Sequence, residues 1–288
     1  MIWEYSGFNP PMVRKVFFMK RDRKPVGRGV PRKKKFLGQH FLRKQSVVDH
    51  MVERVVITPQ TSVVEIGCGD GFLTRAILEQ SPCKQLKVFE IDPDWADFVR
   101  ERVADKRLSL ELVNVLDVDL STLEGQKPWV LLANLPYQIT FPFMFLLQRH
   151  KNIFEEGVVM IQEEVAQKIV AKRGKPYSAT SLFLQHHFTF ELMEKVEPEA
   201  FEPAPKVTSR LLYFKPRYNQ QPIADEDGFW KFLKLCFKFP RQTLRNNLKS
   251  THYDYAKVDE KTLGLRSQQM SFDEFVSLWN ILYIDGLK

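Results

Sequence analysis

An alternation in the middle of the chain restricts its fold more than any other feature. "SVVEIG" (62–67), "KVFEID" (87–92), "LSLELVN" (108–114), "WVLLA" (129–133) and "GVVMIQ" (157–162) are apolar runs of strand length. Helical patterns accompany them: "FLTRAILEQ", "PDWADFVRERVADK", "PFMFLLQRH" and "EEVAQKIVAK". Strands alternating with helices imply a mostly parallel sheet covered on both faces. Near residue 190 the rhythm changes. "FTFELMEKVE" and "VTSRLLYFK" flank the Pro-rich "PEAFEPAPK" with no helix between them, which predicts an antiparallel hairpin at the sheet edge. After "KPRYNQQP" (215–222), a linker by composition, the pattern is helical to the end. The expected organisation is a basic, disordered tail (1–35), an α/β domain (36–217) and a small helical domain (218–288), without internal repeats.

Charge is distributed unevenly within the net +8. Residues 11–35 carry eleven Lys/Arg and one Asp, and residues 206–249 carry ten against three acids, Asp225, Glu226 and Asp227. Local positive fields suit a polyanion, because neutralised phosphates release counterions. A solvated tail and ordinary surface lysines account for the same charge equally well. No apolar run reaches membrane-spanning length, so no membrane partner is expected. Three cysteines without a CxxC pair argue against a zinc site or a disulfide framework. They suit a reducing compartment, so a cytoplasmic protein without a metal is expected. The tail lacks the apolar core of a secretory signal. An RNA-binding arm, an organelle address and a true start at Met19 remain open for it.

"VVEIGCGDGFLT" places Gly67, Gly69 and Gly71 directly after a strand and before a helix. Glycines there let the backbone turn tightly and let a ligand approach the main chain. The spacing is GxGxG, not the GxGxxG of dinucleotide folds. Glu90 ends the next strand, 19 residues after Gly71, where an acid reaches the paired hydroxyls of a ribose. Glu90 could instead cap the following helix, but Asp92 before Pro93 fills that role by itself.

"EIGCGDG" followed by "FEID" resembles the cofactor site of Rossmann-like S-adenosylmethionine-dependent methyltransferases. "GQHFLRKQSVVDHMV" (38–52), "NLPYQIT" (134–140), "FEPAPKVTSRL" (201–211) and "RQTLRNNL" (241–248) narrow the likeness. In that order, they resemble the ribosomal RNA adenine N6,N6-dimethyltransferases of the bacterial small-subunit type. The resemblance implies S-adenosylmethionine as cofactor. It implies His40 and Leu42 at the methionine end, with Gly67 and Gly69 passing the same part. Glu90 would bind the ribose, and Ile91 would pack on the adenine ring. The family usually has an Asp meeting the cofactor's adenine amine. Here that position is Asn114, whose amide oxygen can still accept, and Asp117 is the alternative. Cys68 stands where the family often has proline.

The same likeness assigns "NLPY" to methyl transfer. An exocyclic adenine amine is a poor nucleophile because its lone pair is delocalised into the ring. Two acceptors on its hydrogens, the Asn134 side-chain oxygen and the Leu135 carbonyl, would turn it toward tetrahedral geometry. Pro136 fixes φ and stiffens that carbonyl. Tyr137 offers a stacking face worth roughly 1–3 kcal/mol per base. Phe201 matches an aromatic that would close the other face of the base, or else anchors its Pro-rich loop. Asn134 also borders the cofactor, and a neutral amide accepts a monomethylated amine more readily than a carboxylate demanding two donors. Lys206, Arg210, Arg241, Arg245 and Lys249 are candidates for phosphate contact. The expectation is a monomeric enzyme that dimethylates adenosine in small-subunit ribosomal RNA on immature subunits. The rivals are a large-subunit methyltransferase of the antibiotic-resistance type and a non-catalytic assembly or transcription factor on the same fold.

Overall fold

In the computed structural model, residues 29–34 and 37–285 are described. Most of the tail expected to be disordered lies outside them. The chain begins with β1 (Phe41–Leu42), α1 (Gln45–Glu53), β2 (Ser62–Ile66), α2 (Phe72–Gln80), β3 (Gln85–Glu90), α3 (Pro93–Arg102) and β4 (Leu108–Leu112). β5 (Trp129–Asn134), α4 (Thr140–Arg149), β6 (Phe154–Gln162), α5 (Glu163–Val170) and α6 (Ala179–His187) follow. Then come β7 (Phe188–Val196), β8 (Phe201–Glu202) and β9 (Ser209–Pro216). Four helices end the chain: α7 (Glu226–Cys236), α8 (Leu244–Leu248), α9 (Glu260–Gly264) and α10 (Phe272–Asp285).

The main sheet has the order β4-β3-β2-β5-β6-β9-β7. β2 to β6 pair in parallel, while β9 runs antiparallel to both β6 and β7. The hairpin predicted at the edge is therefore present. Its second strand is the inner one, and β7 is outermost. β1 and β8 form a separate two-stranded ladder, with Phe41 opposite Glu202 and Leu42 opposite Phe201.

The strand pattern has a simple cause. Side chains alternate between faces, so Val63, Leu86, Val88, Val130, Leu132, Val158 and Met160 share one face. They are buried with Val47, Val48 and Met51 of α1 and with Leu73, Ala76 and Ile77 of α2. α3 starts where Asp92 accepts the Asp94 N–H at 3.1 Å and Pro93 takes the first helical position. These two local signals stop β3 directly after Glu90. That places the carboxylate at the carboxyl edge of the parallel strands, where open α/β sheets bind ligands.

The chain divides into two compact units. One contains the sheet, with residues up to Ala166 and Phe188–Pro216; the other contains Gln167–His187 and the residues from Arg217 onward. The chain thus leaves the sheet unit after Ala166 and returns to it at β7. The helical unit is built around aromatic side chains. Phe229, Trp230, Phe232, Phe275 and Trp279 are buried, and the Trp279 indole donates to the Ala224 carbonyl at 2.6 Å. Among the described residues, no helix is long and apolar enough to cross a membrane.

Gly157 in β6 leaves no room for a side chain. A methyl group on it would lie 2.6 Å from the Leu131 carbonyl oxygen and 2.7 Å from the Phe214 ring. Gly157→Ala is expected to lower unfolding free energy by about 1–3 kcal/mol, the usual cost of overpacking, read as an earlier urea midpoint.

Candidate active site

Three glycines shape the loop between β2 and α2. Gly67, Gly69 and Gly71 have φ of 73°, 51° and 82°, in the left-handed region that side chains disfavour. Gly69 is doubly constrained, because a methyl group there would lie 2.5 Å from the Phe41 ring. Phe41 in turn packs on Trp95, with ring centroids 4.7 Å apart. The 38–42 segment thus rests directly on the glycine loop. Arg43 strengthens the contact, pairing with Asp70 of that loop at 2.8 Å.

Glu90 closes the other side of the loop. One of its oxygens accepts from Gly69 N at 3.3 Å and from the Cys68 thiol at 3.5 Å, and the other from Asp92 N at 2.8 Å. Burial raises its pKa against the opposing backbone donors of Asp92 and Gly69. Burial also raises the Cys68 thiol, and the nearby Glu90 charge adds to this, so Cys68 is a packed donor and not a thiolate nucleophile. Deeper in the same core, Glu65 is fully buried. Thr74 donates to its Oε2 at 2.8 Å, while its Oε1 has no partner. Desolvation pushes its pKa up to about 8. Gly67 leaves 4.0 Å between the position of an added methyl and Glu90 Oε2. A glycine cradle, a carboxylate at its rim and an unsatisfied buried acid behind it fit the polar parts of a nucleoside cofactor.

The 38–42 strap is fixed by a network that sequence reasoning missed. Gln39 Oε1 accepts from Lys34 N at 2.7 Å and from the Trp95 indole at 3.3 Å, and Gln39 Nε2 donates to Asp92 Oδ2 at 2.9 Å. Lys34 Nζ pairs with Asp92 at 2.6 Å and Asp94 at 2.8 Å. Its pKa is raised, burial being outweighed by these two acids. Buried Trp95 offered the available signal, since a buried indole N–H requires an acceptor.

The strap meets "NLPY" through one hydrogen bond. Asn134 Nδ2 donates to the His40 carbonyl at 3.2 Å. The opposite edge of the same amide, Oδ1, is then the free acceptor. Leu135 N donates to the Met160 carbonyl at 3.1 Å and its side chain is buried, so the backbone at Leu135 is held from the sheet side. Pro136 has φ −54° and ψ 130°, and its carbonyl accepts from Ile139 N in the short 3-10 turn Tyr137–Ile139. The Tyr137 hydroxyl and the Ser209 hydroxyl are 2.8 Å apart, and burial raises the tyrosine pKa. The Tyr137 ring lies nearly parallel to the His40 ring, with centroids 6.0 Å apart and planes at 24°. His40 Nδ1 is hydrogen-bonded to the Pro203 carbonyl at 2.8 Å.

The structure therefore brings His40, Leu42, Gly67, Gly69, Glu90, Asn134, Leu135, Pro136 and Tyr137 into one connected region. Ile91 directly follows Glu90 and is half-buried. Asn114 and Asp117 are hydrogen-bonded to each other. Asn114 Nδ2 donates to Asp117 Oδ2 at 3.1 Å, and its Oδ1 caps the Val115–Asp117 turn by accepting from Leu116 N.

Phe201 is buried in the core cluster and pairs with Leu42 in the β1–β8 ladder. That is the placement expected of the loop anchor, one of its two sequence readings. Arg210 is engaged within the protein. Its guanidinium binds Glu163 through two bonds, at 2.5 and 2.8 Å, and donates to the Met193 carbonyl. Its side chain is 13% exposed, so it braces the strands instead of facing phosphate. Arg245 is ion-paired with Glu260. Lys206, Arg241 and Lys249 are exposed.

A family model described as ribosomal RNA adenine dimethylase matches residues 30–278. The chain belongs to this family. It is 36% identical over 247 residues to ribosomal RNA small subunit methyltransferase A of Chlorobium phaeobacteroides, covering 85% of this chain and 90% of that one. It is also 36% identical over 219 residues to the protein of that name from Mesomycoplasma hyopneumoniae, covering 76% and 82%. Among solved structures, a dimethyladenosine transferase from Plasmodium falciparum superposes with a TM-score of 0.72 at 22% identity, covering 86% of this chain and 98% of that one. The 23S rRNA methyltransferase ErmE superposes at 0.65 and 22%, covering 84% and 99%. At these identities both share the fold, that of Rossmann-like methyltransferases.

Glu65 yields a pH prediction. Its folded pKa of about 8 lies above its unfolded value of about 4.3. The folded state keeps the proton that the unfolded state releases, so stability falls as pH rises from about 4 to 8 and levels off above. Glu65→Gln is expected to raise the melting temperature at pH 8 by several degrees. At pH 4, where both forms are neutral, melting curves of the two proteins should nearly coincide.

Proposed function

We propose that this member of the ribosomal RNA adenine dimethylase family transfers two methyl groups from S-adenosylmethionine to N6 of adenosine in small-subunit ribosomal RNA. The carrying observation is the Asn134 amide, held on the His40 carbonyl beside the Tyr137 ring. That bond fixes which edge of the amide is an acceptor, and an exocyclic amine needs an acceptor.

The residues divide the work. Gly67, Gly69, His40 and Leu42 would hold the methionine part of the cofactor, and Glu90 the ribose. Ile91, with Asn114 and its partner Asp117, would border the adenine. When bound, S-adenosylmethionine supplies an electrophilic methyl group. The chain's own contribution is to present the nucleophile. Asn134 Oδ1 and the Leu135 carbonyl accept the two amine hydrogens, drawing the nitrogen lone pair out of conjugation. Pro136 keeps that carbonyl in place, and Tyr137, braced by Ser209, provides the stacking face. No strong base is needed, because the amine becomes acidic only after the methyl has arrived. Positioning and exclusion of water provide the rate. A duplex would hide the amine, so the target adenosine is unpaired or extruded.

The names of the relatives support a small-subunit substrate over a large-subunit one. We propose an immature small ribosomal subunit as the physiological partner and a monomer as the acting form. The test is transfer of tritiated methyl groups to immature small subunits, followed by mapping of the methylated nucleotides. Activity is expected with the native chain and near-complete loss with Asn134→Ala. Label only in large-subunit RNA would replace this reading with the large-subunit one, and failure to bind S-adenosylmethionine would replace it with a non-catalytic factor. Asn134→Asp is expected to shift the product toward monomethyladenosine, and unchanged proportions would remove the amide from control of the second transfer.

A further inference from the structure

Between Gly228 and Tyr253 the sequence has six Lys/Arg residues, at 231, 234, 238, 241, 245 and 249, and no Asp or Glu. In the middle of this stretch, between α7 and α8, stands Phe239. Among the described residues it is the only exposed phenylalanine, with 47% of its surface open. Folding alone does not explain an aromatic ring in water at the tip of a turn.

The turn holding it is rigid. Asn247, itself 4% exposed, accepts from Phe239 N at 2.9 Å through Oδ1 and donates to the Phe239 carbonyl at 3.2 Å through Nδ2. The same amide nitrogen donates to the Thr243 carbonyl at 3.2 Å. Gln242 N closes the turn on the Phe239 carbonyl at 2.9 Å. Both main-chain groups of Phe239 are therefore pinned to a buried side chain. The Lys238 ammonium lies 5.3 Å from the ring centroid. Pro240 and Arg241 follow, both exposed. Arg245 is held by Glu260, and the exposed cations of this stretch are Lys231, Lys238, Arg241 and Lys249, with Lys238 and Arg241 beside Phe239 in the sequence.

An exposed aromatic ring on a pinned backbone, flanked by cations and with no acid in the surrounding sequence, has the composition of a single-stranded nucleic-acid platform. Every base has a face to stack, and the flanking cations meet its phosphates. We propose that Phe239 is a stacking platform for an unpaired ribosomal RNA nucleobase, flanked by Lys238 and Arg241 as phosphate contacts. This base is not the methylated one, which is served by Asn134 and Tyr137. The platform adds affinity and register without touching the methyl-transfer step. The proposal rests on the RNA-methylating reading above.

The test compares the native chain with Phe239→Ala, Phe239→Leu and Phe239→Trp on immature small subunits. Binding is followed by filter retention over a salt series, and methyl transfer as separate kcat and KM. Because the ring is exposed, all three variants should fold, which unchanged thermal melting verifies. Phe239→Ala and Phe239→Leu are expected to weaken binding by about fivefold or more, the loss of one stacked base. KM should rise in step, with kcat retained. Phe239→Trp should restore affinity, since stacking needs a π face and not bulk. The dependence of log K on log salt should keep its slope in the Phe239 variants, whereas Lys238→Ala and Arg241→Ala should each reduce it by about one. Unchanged affinity and KM in Phe239→Ala, with the native chain still methylating ribosomal RNA, would overturn the platform and leave the enzymatic function standing. A native chain that methylates no ribosomal RNA would overturn the function itself.

Discussion

The candidate site depends on one steric fact: the Phe41 ring occupies the space where Gly69 would otherwise carry a side chain. That contact ties two distant parts of the sequence, the strap before α1 and the loop after β2. The two-residue ladder of β1 with β8 adds a third part, the loop before β9. His40 is thereby placed where its carbonyl can hold the Asn134 amide and its ring can lie beside Tyr137. Removing any one of these neighbours would leave the polar groups intact in sequence and unaligned in space. The strap has no strong conformational preference of its own. Gln39, Lys34 and Asp92 hold it from one side and Arg43 with Asp70 from the other.

The site also concentrates carboxylates in a poorly hydrated place. Glu65 and Glu90 are both buried, and burial raises the pKa of each. They are treated differently by their surroundings. Glu90 receives two backbone N–H groups and a thiol, which offset part of its desolvation. Glu65 receives one hydroxyl and keeps an oxygen unsatisfied. An unpaired buried oxygen is costly, and the raised pKa of Glu65 lessens that cost by keeping the group neutral. The difference between the two acids therefore separates a group that shapes the loop from one packed in the core beneath it.

Much of this was legible in the sequence, and the misses have physical causes. The Gly67, Gly69 and Gly71 spacing and the position of Glu90 could be read directly, because turn geometry and strand length act locally. Asn134 to Tyr137 read locally only as a strand end and turn, and it was the resemblance that singled them out. β1 and β8 were invisible, since a strand of two residues has no periodicity. α6 was missed because "ATSLFLQHH" is buried almost all round and lacks an amphipathic stripe. The placements of Phe201 and Arg210 were illegible for a common reason. Composition identifies a ring or a guanidinium but not the direction it faces, and that depends on strand pairing with residues far away in sequence. Here Leu42 determined one and Glu163 the other.

The sheet order carries a consequence for the chain as it leaves the ribosome. β7 is made before β9, yet in the folded sheet its neighbour is β9. Without β9, β7 has no partner in this sheet and the edge of β6 is open. Both edges are satisfied at once when Ser209–Pro216 slides between them. The same strand brings Ser209 to the Tyr137 hydroxyl. Closure of the sheet and bracing of the Tyr137 hydroxyl thus depend on the same strand. An emerging chain has no braced tyrosine until its last strand is in place.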